Sequence, residues 1–185
     1  SVSAMIRRMV REKLTVTTAE KEVVLTKVGR RSAESIVRRH RLAEKLAVDV
    51  LRIDLRRAHE EAHRLEHAFS PYLESKVVEL LGNPTTCPFG HPIPGSNYCK
   101  DPNVITLDET EMGHKYQVDR IPEDDFELLQ YFVDNSFLPG TILKLLDVSR
   151  SRGVITLQSE AQELVFSMDI SRLIWVRPCG DGSTL

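Results

Sequence analysis

The sequence predicts an α+β chain in three parts: a partial winged helix-turn-helix, a helical block bearing metal ligands, and a C-terminal SH3-like small β-barrel. Three observations carry this. A basic helical stretch runs directly into two β-branched runs. The next two helical stretches space His and Glu four residues apart. The last third alternates short apolar strands with one helical pattern.

Val2, Met5, Ile6 and Met9 recur at helical spacing, with Arg7, Arg8 and Arg11 on the other faces. Ser1 or Ser3 can cap this helix. Leu14 to Thr18 and Glu22 to Thr26 flank Ala19-Glu20-Lys21 and read as a hairpin. A basic helix followed by a small hairpin is the order of a winged helix-turn-helix. Ser1 to Arg11 reads as the middle of a domain, so more chain is expected upstream.

Thr26 is placed to cap a long helix from about Lys27 to Leu51, and Asp54 a second from Leu55 to Phe69. Ser70-Pro71 opens a third, with proline at its first position, ending near Gly82. Its Leu73, Val77, Val78, Leu80 and Leu81 suit a core or a subunit contact. Asn83 to Asn103 holds five of the nine prolines and reads as a linker. Beyond it, strands are expected over Lys115 to Ile121, Thr141 to Val148, Gly153 to Gln158, Glu163 to Met168 and Leu173 to Arg177. One helix is expected over Glu123 to Asn135. The domain boundaries follow: 1–26 for the winged-helix part, 27–82 for the helical block, 83–103 for the linker and 104–178 for the barrel.

Composition narrows the function classes. Apolar content of 41% over 185 residues suits a packed core in one large or two small domains. No run is long enough to cross a bilayer, and no signal peptide is evident. Three cysteines without a pairing pattern argue against a disulfide scaffold and suggest a reducing, cytoplasmic setting. The overall charge of −2 hides an asymmetry: Ser1 to Arg57 carries a net +8 and the remainder a net −10. A basic end on an acidic remainder suggests a polyanionic partner.

His59, His63, Glu66 and His67 stand at i, i+4, i+7 and i+8, on one face of an α-helix. Imidazole and carboxylate converging on one stripe suit a divalent first-row metal. Burying so many ionisable groups without a partner is costly. His40 and Glu44 repeat the i, i+4 spacing on the preceding helix, so four of the six histidines fall in the two clusters. Together the helices suggest two adjacent metal sites. His59-Glu60-Glu61-Ala62-His63 also matches H-E-x-x-H, the helical signature of zinc proteases, with Glu60 as general base. A zinc-dependent hydrolase is therefore the alternative, although it leaves Glu66 and His67 without a role.

Three motifs carry a resemblance to a known family: Val37-Arg38-Arg39-His40-Arg41-Leu42-Ala43-Glu44, His59-Glu60-Glu61-Ala62-His63-Arg64-Leu65-Glu66-His67, and Pro88-Phe89-Gly90-His91-Pro92-Ile93-Pro94-Gly95. The chain resembles the iron-dependent repressor family, also called the diphtheria-toxin-repressor or manganese-transport-regulator family. The resemblance implies a winged-helix head, a helical metal-binding and dimerisation domain, and an SH3-like domain. It implies that His40, Glu44 and His59 form an ancillary metal site, and that Glu66 and His67 belong to the primary, activating site. His63 falls where iron-type members carry Cys and manganese-type members carry Glu. Histidine there fits Fe²⁺ or Mn²⁺, with Co²⁺, Ni²⁺ or Zn²⁺ as surrogates.

The family's barrel can send an E-x-x-Q pair to the ancillary site. The matching positions here are Arg120, which cannot ligate, and Glu123, which can; Glu127 and Gln130 fit the letters two helical turns on. Glu123 equally suits the first turn of a helix. The family's primary site takes a further ligand from a helix ahead of the recognition helix, so in this sequence that site is expected to be incomplete. Ser1, Ser3, Arg7, Arg8 and Arg11, with Lys21 at the wing tip, are the candidates for contacts to double-stranded operator DNA. Cys87, Cys99 and Cys179 are expected to do nothing metallic, and His91 to be a surface residue. The resulting expectation is a homodimeric, cytoplasmic, metal-dependent repressor, not an enzyme.

Overall fold

A computed structural model of the chain describes residues 1–160 and 162–179. Helix α1 (Val2–Arg11) leads into a two-stranded antiparallel hairpin, β1 (Thr15–Thr17) and β2 (Val23–Leu25). Lys21 takes a φ of 64° at the tip. Ser1 is the N-cap of α1 through its backbone alone. Helix α2 (Lys27–Lys45) follows the hairpin at once, and the Thr26 side chain caps it by accepting from Gly29 N. The Thr26 hydroxyl in turn donates to Lys13 O at 2.7 Å. Gly29 is required here, because a Cβ on it would lie 1.9 Å from Leu14 O. The helix is thus joined by close contact to the turn between α1 and the hairpin.

The expected helix to Leu51 changes pitch before its end. Leu46–Val50 is a π-turn, with Leu51 N donating to Leu46 O, five residues back. Asp54 caps α3 (Leu55–Leu65) as expected, accepting from Arg56 N. The expected helix to Phe69 instead tightens into a 3₁₀ turn at Glu66–Ala68. Glu66 and His67 therefore leave the α-helical stripe on which His59 and His63 sit. Ser70 caps α4 (Pro71–Leu80), accepting from Leu73 N, with Pro71 in the first turn.

The last part is a six-stranded antiparallel sheet: β3 (Ile105–Thr106), β4 (Lys115–Arg120), β5 (Ile142–Ser149), β6 (Val154–Ser159), β7 (Glu163–Ser167) and β8 (Trp175–Pro178). The strand order is β3-β8-β4-β5-β6-β7. Helix α5 (Phe126–Asp134) lies between β4 and β5, and α6 (Met168–Ser171) turns the chain from β7 towards β8. The sequence reading missed β3, which has two residues, and α6, which has four. Both are too short to show a period.

Two apolar clusters hold the chain. The sheet cluster contains Val118, Leu129, Phe132, Phe137, Leu157 and Val176, and takes in Ala58 from α3. The helical cluster contains Leu42, Ala43, Ala62, Phe69 and Val77. The proline-rich stretch is irregular, as expected, but it is a packed strap. Its Phe89 is buried in the sheet cluster and its Ile93 in the helical one. Gly90 between them has φ 89°, and a Cβ on it would lie 2.0 Å from Asp119 O. Only glycine lets the strap lie flat on β4 there.

Candidate metal centre

The ligand-type residues converge on a cleft of about 610 Å³ between the helices, the strap and the sheet. α2 contributes His40, with the buried Glu44 against it, α3 contributes His59 and His63, and the 3₁₀ turn contributes Glu66. Glu123 arrives on the loop between β4 and α5.

His40 Nε2, His59 Nδ1 and Glu44 Oε1 form a near-equilateral triangle. Its edges are 3.1 Å between the two nitrogens, 3.0 Å from His40 to Glu44 and 2.9 Å from His59 to Glu44. Bonds of roughly 2.1 Å on one face of an octahedron place donor atoms about 3 Å apart. Glu44 is wholly buried, and its other oxygen, Oε2, has no hydrogen-bond partner among the described residues. A buried, unpartnered carboxylate oxygen beside two imidazoles is what a cation site requires. Oxygens of Glu44 and Glu123 and a nitrogen of His59 also lie within 4.8 Å of one another. The residues fit a divalent metal.

The electrostatics agree. Burial pushes the Glu44 carboxyl upward, but hydrogen bonds from His40 and His59 outweigh it and hold its pKa at about 2. Burial works against a charge on His40, but Glu44 and Glu66 more than offset this and raise its pKa. The site is therefore an anionic pocket in which His40 favours its protonated form when no metal is bound.

The expected second site adjoins the first. Glu66 Oε2 lies 2.7 Å from His40 Nδ1, while its Oε1 lies 3.2 Å from His67 Nε2. His63 Nε2 is 3.2 Å from His59 Nε2, and its Nδ1 is 3.9 Å from Glu66 Oε2. The rings of His40, His59 and His63 pack with centroids 4.5–4.7 Å apart. His67 is exposed, and its Nε2 lies beside Glu66 Oε1.

Two neighbours of this site went unrecognised in the sequence. His91, expected at the surface, is half-buried, with Nε2 2.8 Å from Ile121 O and 2.5 Å from Glu123 Oε2. Cys87 is buried against Glu44 and Glu123, and burial with those two charges pushes its thiol well up. Proline-rich composition hid both. Of the residues matching the family's E-x-x-Q pair, Glu123 is brought to the cleft, whereas the Arg120 guanidinium covers the Trp175 ring at 4.6 Å.

Glu60, the base of the hydrolase alternative, is exposed and ion-paired with Arg64 on its own helix. The hydrolase reading is not supported.

The candidate DNA-contacting residues Ser1, Ser3, Arg7, Arg8, Arg11 and Lys21 are all exposed. Arg8 is paired with Glu12 at 2.9 Å, and Arg7 Nε donates to Ser3 O at 3.2 Å.

The fold and site together define a metal-binding helical module, with a small helix–hairpin head before it and a β domain after it. Comparison with known proteins gives the family. Residues 26–95 match the iron dependent repressor metal binding and dimerisation domain, and residues 105–178 match the FeoA domain. The diphtheria toxin repressor of Corynebacterium glutamicum is 31% identical over 176 residues, covering 89% of this chain and 77% of that protein. The iron-dependent repressor IdeR of Mycobacterium tuberculosis is 34% identical over 153 residues, covering 76% of this chain. The chain spans 66% of the length of that relative. A solved manganese-dependent transcriptional repressor in complex with manganese superposes with a TM-score of 0.83 at 30% identity, covering 96% of this chain and 83% of that one. The chain belongs to the iron-dependent repressor family, whose members are metal-dependent transcriptional repressors and not enzymes.

Proposed function

We propose that this protein is a transcriptional repressor that binds double-stranded operator DNA when loaded with Fe²⁺ or Mn²⁺, with Co²⁺, Ni²⁺ or Zn²⁺ able to substitute. The observation that carries this is the triangle of His40 Nε2, His59 Nδ1 and Glu44 Oε1 beside the unpartnered Glu44 Oε2. In this reading His40, Glu44, His59 and Glu123 hold the ancillary metal. His63, Glu66 and His67 serve the primary one.

A metal here supplies positive charge that draws α2, α3 and the β4–α5 loop together. The chain's own residues carry the consequence to the head. His40 and Glu44 stand on the same 19-residue helix that Thr26 caps and that packs through Gly29 onto Leu14, just ahead of the hairpin. Fixing α2 against α3 fixes the direction of that helix, and with it the head that presents Arg7, Arg11 and Lys21. The metal acts through its differential affinity for the DNA-competent arrangement.

The partner subunit in this reading is a second copy docked on α4, where Tyr72, Leu73 and Leu80 are exposed. Two heads then face one operator with matching symmetry. We place the protein in the cytoplasm; no helix among the described residues is long and apolar enough to cross a membrane. The β domain is read as an SH3-like barrel that contributes Glu123.

Electrophoretic mobility of operator DNA tests this, using the full-length protein with and without Fe²⁺ or Mn²⁺. A metal-dependent shift is expected, and an unchanged mobility in both metals sinks the reading. His63→Ala is expected to lower metal stoichiometry or metal-activated DNA affinity. If it changes neither, the primary-site assignment is wrong.

A further inference from the structure

We infer that Glu66 is a positioning residue for the ancillary metal as well as a ligand of the primary one: through His40 it ties the two sites together. The inference rests on the two-site reading and goes beyond it. His40 presents its two nitrogens to two different carboxylates. Nε2 lies 3.0 Å from Glu44 Oε1, and Nδ1 lies 2.7 Å from Glu66 Oε2. In a neutral imidazole, the hydrogen bond made at one nitrogen decides which nitrogen is left for a metal. Nε2 is a corner of the triangle with His59 and Glu44, and must give up any hydrogen to ligate. Nδ1 lies outside the triangle and keeps its hydrogen for Glu66, since a carboxylate only accepts. Both side chains are buried, with exposures of 10% for His40 and 7% for Glu66.

Glu66 meets His40 at the point where α3 tightens. Its backbone N–H still donates to Ala62 O, and the 3₁₀ turn Glu66–Ala68 begins there. Ala62 and Phe69, on either side of that turn, are buried in one cluster with Leu42 and Ala43 of α2. The turn is thereby clamped against the helix that carries His40 and Glu44. His59 is backed by an imidazole instead. Its Nε2 lies 3.2 Å from His63 Nε2 and 3.8 Å from the exposed Asp124.

A ligating histidine whose other N–H is held by a carboxylate is fixed in orientation and made more basic. Glu66 supplies that carboxylate from the neighbouring site. Its two oxygens divide the work: Oε2 holds His40, and Oε1 lies 3.2 Å from His67 Nε2. An imidazole that holds Oε2 leaves Oε1 for the primary metal beside His67. Occupancy of either site therefore favours occupancy of the other, by the same factor in both directions.

Calorimetric titration of the full-length protein with Co²⁺ tests this in a His67→Ala background, where the primary step is removed and the ancillary step stands alone. Adding Glu66→Ala is expected to weaken that remaining step by roughly 10–100-fold. Adding Glu66→Gln instead should recover part of the affinity, because the amide oxygen still accepts from Nδ1. NMR of the imidazole nitrogens in the Zn²⁺-loaded His67→Ala protein should place the His40 hydrogen on Nδ1, protected from exchange, and Glu66→Ala should remove that protection. If the remaining Co²⁺ step is equally strong with and without Glu66→Ala, the inference is overturned while the two-site reading stands. If Glu66→Ala weakens the step, but Glu66→Gln recovers nothing and the Nδ1 hydrogen is unchanged, Glu66 acts by packing and the inference is again overturned. If His67→Ala and Glu66→Ala each leave every Co²⁺ step unchanged, the two-site reading fails and takes the inference with it.

Discussion

At the scale of the residue, the site works by competition between protons and metal. Glu44 and Glu66 raise the pKa of His40 against the effect of burial. The stability that protonated His40 contributes to the metal-free protein is therefore complete below pH 6.5, the ordinary value. It is lost as pH rises through the higher folded-state pKa. Metal needs the neutral imidazole, so affinity should climb across that same window and binding should release protons. Calorimetry in two buffers of different ionisation enthalpy, just above pH 6.5, should report this release; buffer-independent heats would contradict it. Glu44 gives the opposite sign. With its pKa lowered from 4.5 to about 2, its contribution is present above 4.5 and lost as pH falls towards 2.

At the scale of the element, the strap and α2 do the joining. Phe89 is fully buried among sheet residues, and truncating a buried Phe to Ala costs about 3–5 kcal/mol. Phe89→Ala should lower the thermal midpoint and separate the melting of the β domain from that of the helices. A single, unshifted transition would show that the strap does not carry the joint. Gly29→Ala makes a different prediction. Its methyl group would meet Leu14 O, so metal affinity should hold while metal-activated DNA binding falls. A loss of both together would place the defect in the metal centre.

The clustering of the candidate ligand pairs of α2 and α3 was legible because a period of 3.6 is a local property, and so were the caps Thr26, Asp54 and Ser70. The junction at Glu66 was not. Continuing the helix to Phe69 put four candidate ligands on one stripe, whereas the chain tightens after Leu65 and turns His67 outwards. His91 was illegible for another reason. Its burial comes from Phe89 and Ile93 entering two different cores, and no local pattern records which core a loop residue will reach.

At the scale of the molecule, charge and apolar surface are divided between tasks. The head carries exposed basic side chains, and each arginine that neutralises a phosphate adds about one unit to the salt slope of DNA binding. Arg7→Ala should weaken binding to all sequences similarly and reduce that slope by about 1; loss confined to one operator position would make Arg7 a base reader instead. Tyr72, Leu73 and Leu80 on α4 leave an apolar face to be covered. Tyr72→Glu should shift the species seen by analytical ultracentrifugation from dimer to monomer.

The central claim is that metal and DNA bind the same arrangement of this chain. Reciprocal titration measures that most directly: operator affinity with and without Mn²⁺, and Mn²⁺ affinity with and without operator. The account predicts equal enhancement factors in the two directions, because linkage is reciprocal, and their disappearance in Glu44→Gln. Operator binding of equal strength with and without metal would contradict it.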